Sequence, residues 1–214
     1  MTEEILAIPA GPVRLEAQLH VPDGAAGVVV FAHGSGSSRH SRRNRFVAES
    51  LREAGLGTLL FDLLTLEEAD DRSKVFDIDL LAERLVAATN WLQDRPGPEN
   101  EWIGYFGAST GAAAALRAAT APGVEVRAVV SRGGRPDLAA SDLPNVRTPT
   151  LLLVGERDEE VLDLNYDAQR RLGGANRVVI VPGATHLFDE PGALEAVAVL
   201  ARDWFNEHLG GVMP

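Results

Sequence analysis

Six short stretches of the chain are apolar at nearly every position and stop at turn residues. They are Gly27–His33 (GVVVFAH), Gly57–Leu64 (GTLLFDLL), Trp102–Phe106 (WIGYF), Val126–Ser131 (VRAVVS), Thr150–Gly155 (TLLLVG) and Arg177–Gly183 (RVVIVPG). A strand with one face in water alternates apolar and polar residues, whereas a strand covered on both faces does not. These runs therefore predict the strands of a parallel sheet with helices on either side. Between them the apolar spacing changes. Leu81, Leu85, Ala88 and Leu92 recur at helical intervals, as do Leu194, Val197, Ala201, Trp204 and Phe205, with Pro191 suited to a first helical turn. Arg14–Pro22 (RLEAQLHVP) alternates more and reads as an edge strand. The order of elements predicts an α/β fold with a doubly wound, mostly parallel sheet flanked by helices. No linker, repeat or low-complexity tract divides residues 1–214, so one domain is expected.

Composition narrows the function. The chain has 214 residues and 45% hydrophobic content, with no apolar run of transmembrane length. The acidic N-terminal stretch lacks the basic and apolar regions of a signal peptide, so a cytoplasmic location is expected. There is no cysteine, which excludes disulfides, thiolate metal sites and cysteine nucleophiles. A net charge of −11 argues against nonspecific nucleic-acid binding and against docking on anionic membranes.

The chemistry centres on Gly107-Ala108-Ser109-Thr110-Gly111, a G-x-S-x-G placed between the WIGYF strand and an alanine-rich helix. In doubly wound sheets functional groups gather at the carboxyl ends of the strands. A serine on such an elbow stands clear of the sheet, and its small neighbours let the following helix pack close. Serine needs a base to take its proton. Of five histidines, His186 lies in a loop after the last strand and before the last helix, where the order Ser…Asp…His places the base. His20, His33, His40 and His208 sit in other settings. Asp158, directly after the TLLLVG strand, is the acid expected to orient His186, and Asp137 after the preceding strand is its rival. The oxyanion donors are expected to be the amides of Thr110 and of Ser35, the latter in the loop HGSGSSRHSRRN. Gly34 and Gly36 allow that backbone to approach a substrate. A dinucleotide loop fails because Arg39 stands where the third glycine is needed, and no P-loop pattern occurs.

These motifs resemble the α/β-hydrolase superfamily, and within it the dienelactone-hydrolase-like branch. HGSGSS, FGASTGAAAAL, LLLVGERD and VPGATHLFDEPG fall in order on the expected strand ends, so the resemblance spans nearly the whole chain. The chain is also similar to hydrolase domains that occur joined to phosphoribosyltransferase domains. Dienelactone hydrolases themselves use a cysteine nucleophile, so the resemblance implies the fold and ester hydrolysis with a serine in that role. The implied reaction is two-step acyl transfer from a small-molecule ester, with no metal or organic cofactor. The alternatives are acyl transfer to another acceptor, peroxide included, and a catalytically silent binding protein. A monomer or homodimer is expected.

Two arginine features complete the reading. Arg39, Arg42, Arg43 and Arg45 follow the oxyanion loop and are expected to open the first helix, either as an exposed face paired with acids such as Glu49 and Glu53 or as a lure for anionic substrates. Arg132 ends a central strand and is expected either to bind a substrate carboxylate or to pack within the RGGR turn. The segments that could form a lid, Gly133–Pro149 and the mostly charged Thr65–Phe76, are short. They predict an open, shallow site without a cap domain and a preference for short acyl groups.

Overall fold

A computed structural model describes residues 2–210. One eight-stranded sheet runs through it. The strands are β1 (Thr2–Ala10), β2 (Val13–Val21), β3 (Val28–Ala32), β4 (Gly57–Phe61), β5 (Ile103–Ala108), β6 (Ala128–Arg132), β7 (Thr150–Gly155) and β8 (Asn176–Val181). Their spatial order is β1-β2-β4-β3-β5-β6-β7-β8. The first two pairings are antiparallel and the other five are parallel. β3 through β7 are buried along their whole length, as their unbroken apolar runs require.

The helices are α1 (Arg42–Glu53), α2 (Leu66–Ala69), α3 (Arg72–Val75), α4 (Ile78–Gln93), α5 (Thr110–Ala118), α6 (Glu159–Arg171) and α7 (Ala193–Leu209). Val47 and Leu51 of α1 and Val197 and Phe205 of α7 fill the core on one face of the sheet. Leu85 of α4, Ala113 to Leu116 of α5 and Ala168 of α6 fill it on the other. No helix of the described residues is long and apolar enough to cross a membrane.

The sequence placed the sheet edge one strand too far in. β2 is not an edge strand: it pairs with β4 on one side, Ala17 opposite Phe61, and with β1 on the other. Its alternation is genuine, with Leu15, Ala17 and Leu19 turned to the core, but β1 covers its outer side. α7 starts at Ala193 behind Gly192, so Pro191 precedes the helix rather than lying in its first turn.

From β3 the chain crosses to β4 on one side, and from β5 it moves to β6 on the other. The sheet therefore changes direction between β3 and β5, which lie side by side with Ala32 opposite Gly107. The loops leaving their carboxyl ends diverge and leave a crevice between them.

Candidate active site

Ser109 occupies that crevice. It joins β5 to α5 with φ 51° and ψ −119°, a conformation that costs a non-glycine residue energy and is held only when the surroundings enforce it. Here they do. The Ser109 amide donates to the Arg132 carbonyl at 3.2 Å, and the Ser109 carbonyl accepts from the amides of Ala112 and Arg135. The flanking glycines make the tight path possible. A Cβ on Gly107 would stand 2.4 Å from Cα of Ala112, and one on Gly111 would stand 2.2 Å from the Ala32 carbonyl oxygen. The alanine run has the same origin: Ala112 to Ala115 are wholly buried, and α5 lies so close to the sheet that larger side chains have no room.

Asp158 and His186 meet. His186 Nδ1 lies 2.6 Å from Oδ2 of Asp158. Asp158 is the N-cap residue of α6, where a carboxylate ordinarily accepts from the helix's own first amides. It makes no such bond, so its oxygen is left for the imidazole. The loop carrying His186 is pinned from within. The Thr185 hydroxyl and amide donate to the Glu190 carboxylate at 2.7 and 3.1 Å, and the hydroxyl bond above all holds that carboxyl below its ordinary range. Phe188 is fully buried at φ 56°. Neither residue carries a motif that sequence could flag. The rival acid Asp137 is engaged elsewhere, in a two-pronged pair with Arg135 at 2.9 and 2.7 Å.

The loop after β3 is clamped at both ends. His33 lies 9% exposed just after β3. Its Nδ1–H donates to the Gly34 carbonyl, and its Nε2 accepts from the Leu63 amide, both at 3.0 Å. Those partners fix a neutral ring, and burial pushes its pKa down. At the far end Arg39 donates through its amide to Asp62 at 2.6 Å and pairs through its guanidinium with Asp62 and Glu16. Gly34 is a close approach: a Cβ there would lie 3.1 Å from Cβ of Ser109. The Ser35 amide, expected as an oxyanion donor, already has an acceptor, the Thr110 hydroxyl at 2.9 Å.

A cavity is lined by Gly34, Ser35, Arg43, Ser109, Arg132 and His186, among others. Three of its lining residues hold buried polar atoms without a hydrogen-bond partner among the described residues: Nε of Arg43, Oδ1 of Asn44 and Nε of Arg132. Arg132 stacks 5.7 Å from the Phe188 ring centre. Burial first, and the Arg43 cation second, lower its pKa to about 10, with Asp189 opposing, so the group remains charged at neutral pH. The arginine cluster is arranged differently from its expected form. Arg39 precedes α1, whose first residue is Arg42 behind the Ser41 cap. The partners are Asp62, Glu16 and, for Arg43, Asp189 at 3.1 Å, while Glu49 pairs with Arg52 instead.

A second cavity of about 270 Å³ shares Gly34, Ser35 and Ser37 with the first. Leu63, Leu64, Leu66, Ala69, Val75 and Leu81 contribute its apolar wall, and Gly34, Ser35, Ser37 and Thr110 border it. Thr65–Phe76, expected to be mostly charged and to leave an open, shallow site, contributes Leu66, Ala69 and Val75 to that wall. The segment folds into α2 and α3, whose Leu66, Ala69 and Val75 border the cavity although Leu66 is 89% exposed, and Glu67 and Asp70 are left in water. No group of three or more His, Asp or Glu side chains among the described residues is arranged to hold a metal ion.

Comparison with known proteins agrees with this architecture. A crystal structure of dienelactone hydrolase from Anabaena variabilis is 55% identical, with a TM-score of 0.92, over 97% of this chain and 98% of that one. Est1E from Butyrivibrio proteoclasticus shares the fold at 17% identity, with a TM-score of 0.80 over 95% and 98% of the two chains. A Mycobacterium tuberculosis H37Rv protein named "Putative phosphoribosyl transferase" is 59% identical over all of this chain, which spans 48% of that relative's length. The family model described as the dienelactone hydrolase family matches residues 15–208, and this chain belongs to that family of α/β-hydrolases.

Proposed function

We propose that the chain is a serine esterase that cleaves small carboxylic esters through an acyl-enzyme. The observation that carries this reading is the 2.6 Å bond between His186 Nδ1 and Asp158, in a loop whose histidine shares a cavity with the strained Ser109. With Nδ1–H given to Asp158, Nε2 is the nitrogen free to accept the Ser109 proton. Ser109 Oγ then attacks the ester carbonyl, and the amides of Thr110 and Ser35 receive the oxyanion, each such donor being worth about 3 kcal/mol. His186 passes its proton to the leaving alcohol, then takes one from the water that releases the acid and restores Ser109. The 59% identical relative is about twice the length of the match; we assign hydrolase chemistry to the half that this chain spans.

The alcohol must lie beside His186 to receive its proton. It therefore occupies the cavity containing Arg43, Asn44 and Arg132, whose unpartnered buried atoms favour a polar or anionic group. Arg132→Met is expected to lower the preference for a carboxylate-bearing alcohol over its neutral isostere by about tenfold.

The decisive experiment is covalent labelling. A fluorophosphonate should modify Ser109, and Ser109→Ala should abolish both labelling and hydrolysis of p-nitrophenyl acetate. Labelling of another serine, or undiminished turnover by the variant, overturns the assignment.

A further inference from the structure

We propose that the cavity beneath α2 and α3 is the acyl-binding pocket, and that it selects esters of medium-length apolar acids, about six to ten carbons or an aryl equivalent. The inference rests on the serine-esterase reading and adds the class of acid to it. It begins with the division of the crevice. Gly34, Ser35 and Ser37 border both cavities, so the loop that presents the Ser35 amide is the partition between them. Ser109 and His186 line one side; Thr110 and six apolar side chains line the other. A tetrahedral intermediate with its oxyanion toward Ser35 and Thr110 must send its two substituents to opposite sides of that partition. The alcohol goes to His186, because it needs that proton. The acyl group is left with the side that lacks His186.

That side suits a hydrocarbon. Leu63, Leu64 and Leu81 form the inner wall, with exposures of 1, 8 and 3%. Leu66, at 89% exposed, and Ala69 and Val75 form the outer rim. At about 30 Å³ for a water-sized group, a 270 Å³ cavity holds roughly nine non-hydrogen atoms.

The pocket is also built rather than incidental. α2 carries a full capping box, Thr65 and Glu68 each accepting from the other's amide at 3.2 and 3.0 Å. Glu68 is buried and paired with Arg84 of α4 at 3.2 Å and with Lys74 of α3 at 3.6 Å. Arg84 also donates to the Ala10 carbonyl of β1. These bonds fasten a mostly charged segment to α4, which is itself bonded to β1, beside the cavity.

The test is two ester series on the full chain. With p-nitrophenol as the constant alcohol, kcat/KM should rise from acetate to octanoate by tenfold or more in total, since full burial gives up to about fourfold per methylene. It should gain nothing further from decanoate to dodecanoate. With acetate as the constant acid, lengthening a linear alcohol from ethyl to octyl should change kcat/KM less than threefold. In Ala69→Phe and in Val75→Phe the added ring enters the cavity, and the octanoate-to-acetate ratio should fall at least fivefold. Acetate preference in the parent, a steeper response to alcohol length than to acyl length, or an unchanged ratio in both variants overturns the proposal. Fluorophosphonate labelling of Ser109 on the same samples separates the two layers. A labelled Ser109 with a flat acyl profile removes the pocket and leaves the esterase; an unlabelled Ser109 removes the esterase itself.

Discussion

The Ser35 amide and the Thr110 hydroxyl are joined at 2.9 Å, across the partition that faces Ser109. If Ser35 serves the oxyanion, it has to leave that acceptor as the substrate's oxygen becomes charged. The exchange is favourable because a bond to an anion is stronger than one to a neutral hydroxyl, but the bond given up belongs to the ground state and works against the rate. Thr110→Val keeps the main-chain donor and the buried shape and removes the competing oxygen. We expect kcat to rise by about two- to fivefold, the worth of a neutral hydrogen bond of roughly 0.5–1 kcal/mol. A fall of more than tenfold would mean that the Thr110 hydroxyl holds the loop in place rather than competing with the substrate.

Asp158 forgoes the helix cap to hold His186. Asp158→Asn should therefore reduce kcat by about 10³- to 10⁴-fold with little change in KM, because the imidazole loses the partner that sets its tautomer and steadies its charge. Asp137→Asn, which loosens only a partly exposed pair with Arg135, should stay within about twofold of the parent. Steady-state kinetics of both variants on one ester decides it, and the reverse ranking moves the acid role to Asp137.

His33 ties acid stability to the loop after β3. Burial holds its pKa below 6.5 in the folded chain, so on acidification the unfolded chain takes up a proton that the folded chain refuses. The stability involved is fully present above about pH 6.5 and is lost as the pH falls from there toward the folded value, at up to about 1.4 kcal/mol per pH unit. The melting temperature should drop between pH 7.5 and 5.5, and the drop should be smaller in His33→Gln, whatever that variant's starting stability. Equal drops in the two proteins would exclude His33 as a source of the loss.

The central strands were legible because burial on both faces leaves no polar residue in the pattern, as in Val28–Phe31 and Leu151–Val154. The placement of Ser109, Asp158 and His186 at one edge of the sheet was legible because each follows a strand. β1 was missed: Ile5 is 85% exposed and Pro9 interrupts the run, so an outer strand gave a weak signal, and β2 was taken for the edge that β1 forms. The acyl cavity was hidden for a related reason. Leu66, Ala69 and Val75 are spread over two four-residue helices, too short for any period to show among the charges. The Ser35–Thr110 bond spans 75 positions and involves a backbone amide, which no residue type announces.

Two cavities whose linings share only Gly34, Ser35 and Ser37 have a consequence for engineering. One is walled by residues 62–81 and the other by Arg43, Asn44, Arg132 and Leu187, on separate loops with no shared side chain except those of the partition. Substitutions with separate contacts tend to add in free energy. Changes to the acid a variant accepts and changes to the alcohol it releases should therefore multiply in rate. A small library on each loop, screened alone, would then forecast the behaviour of their combinations.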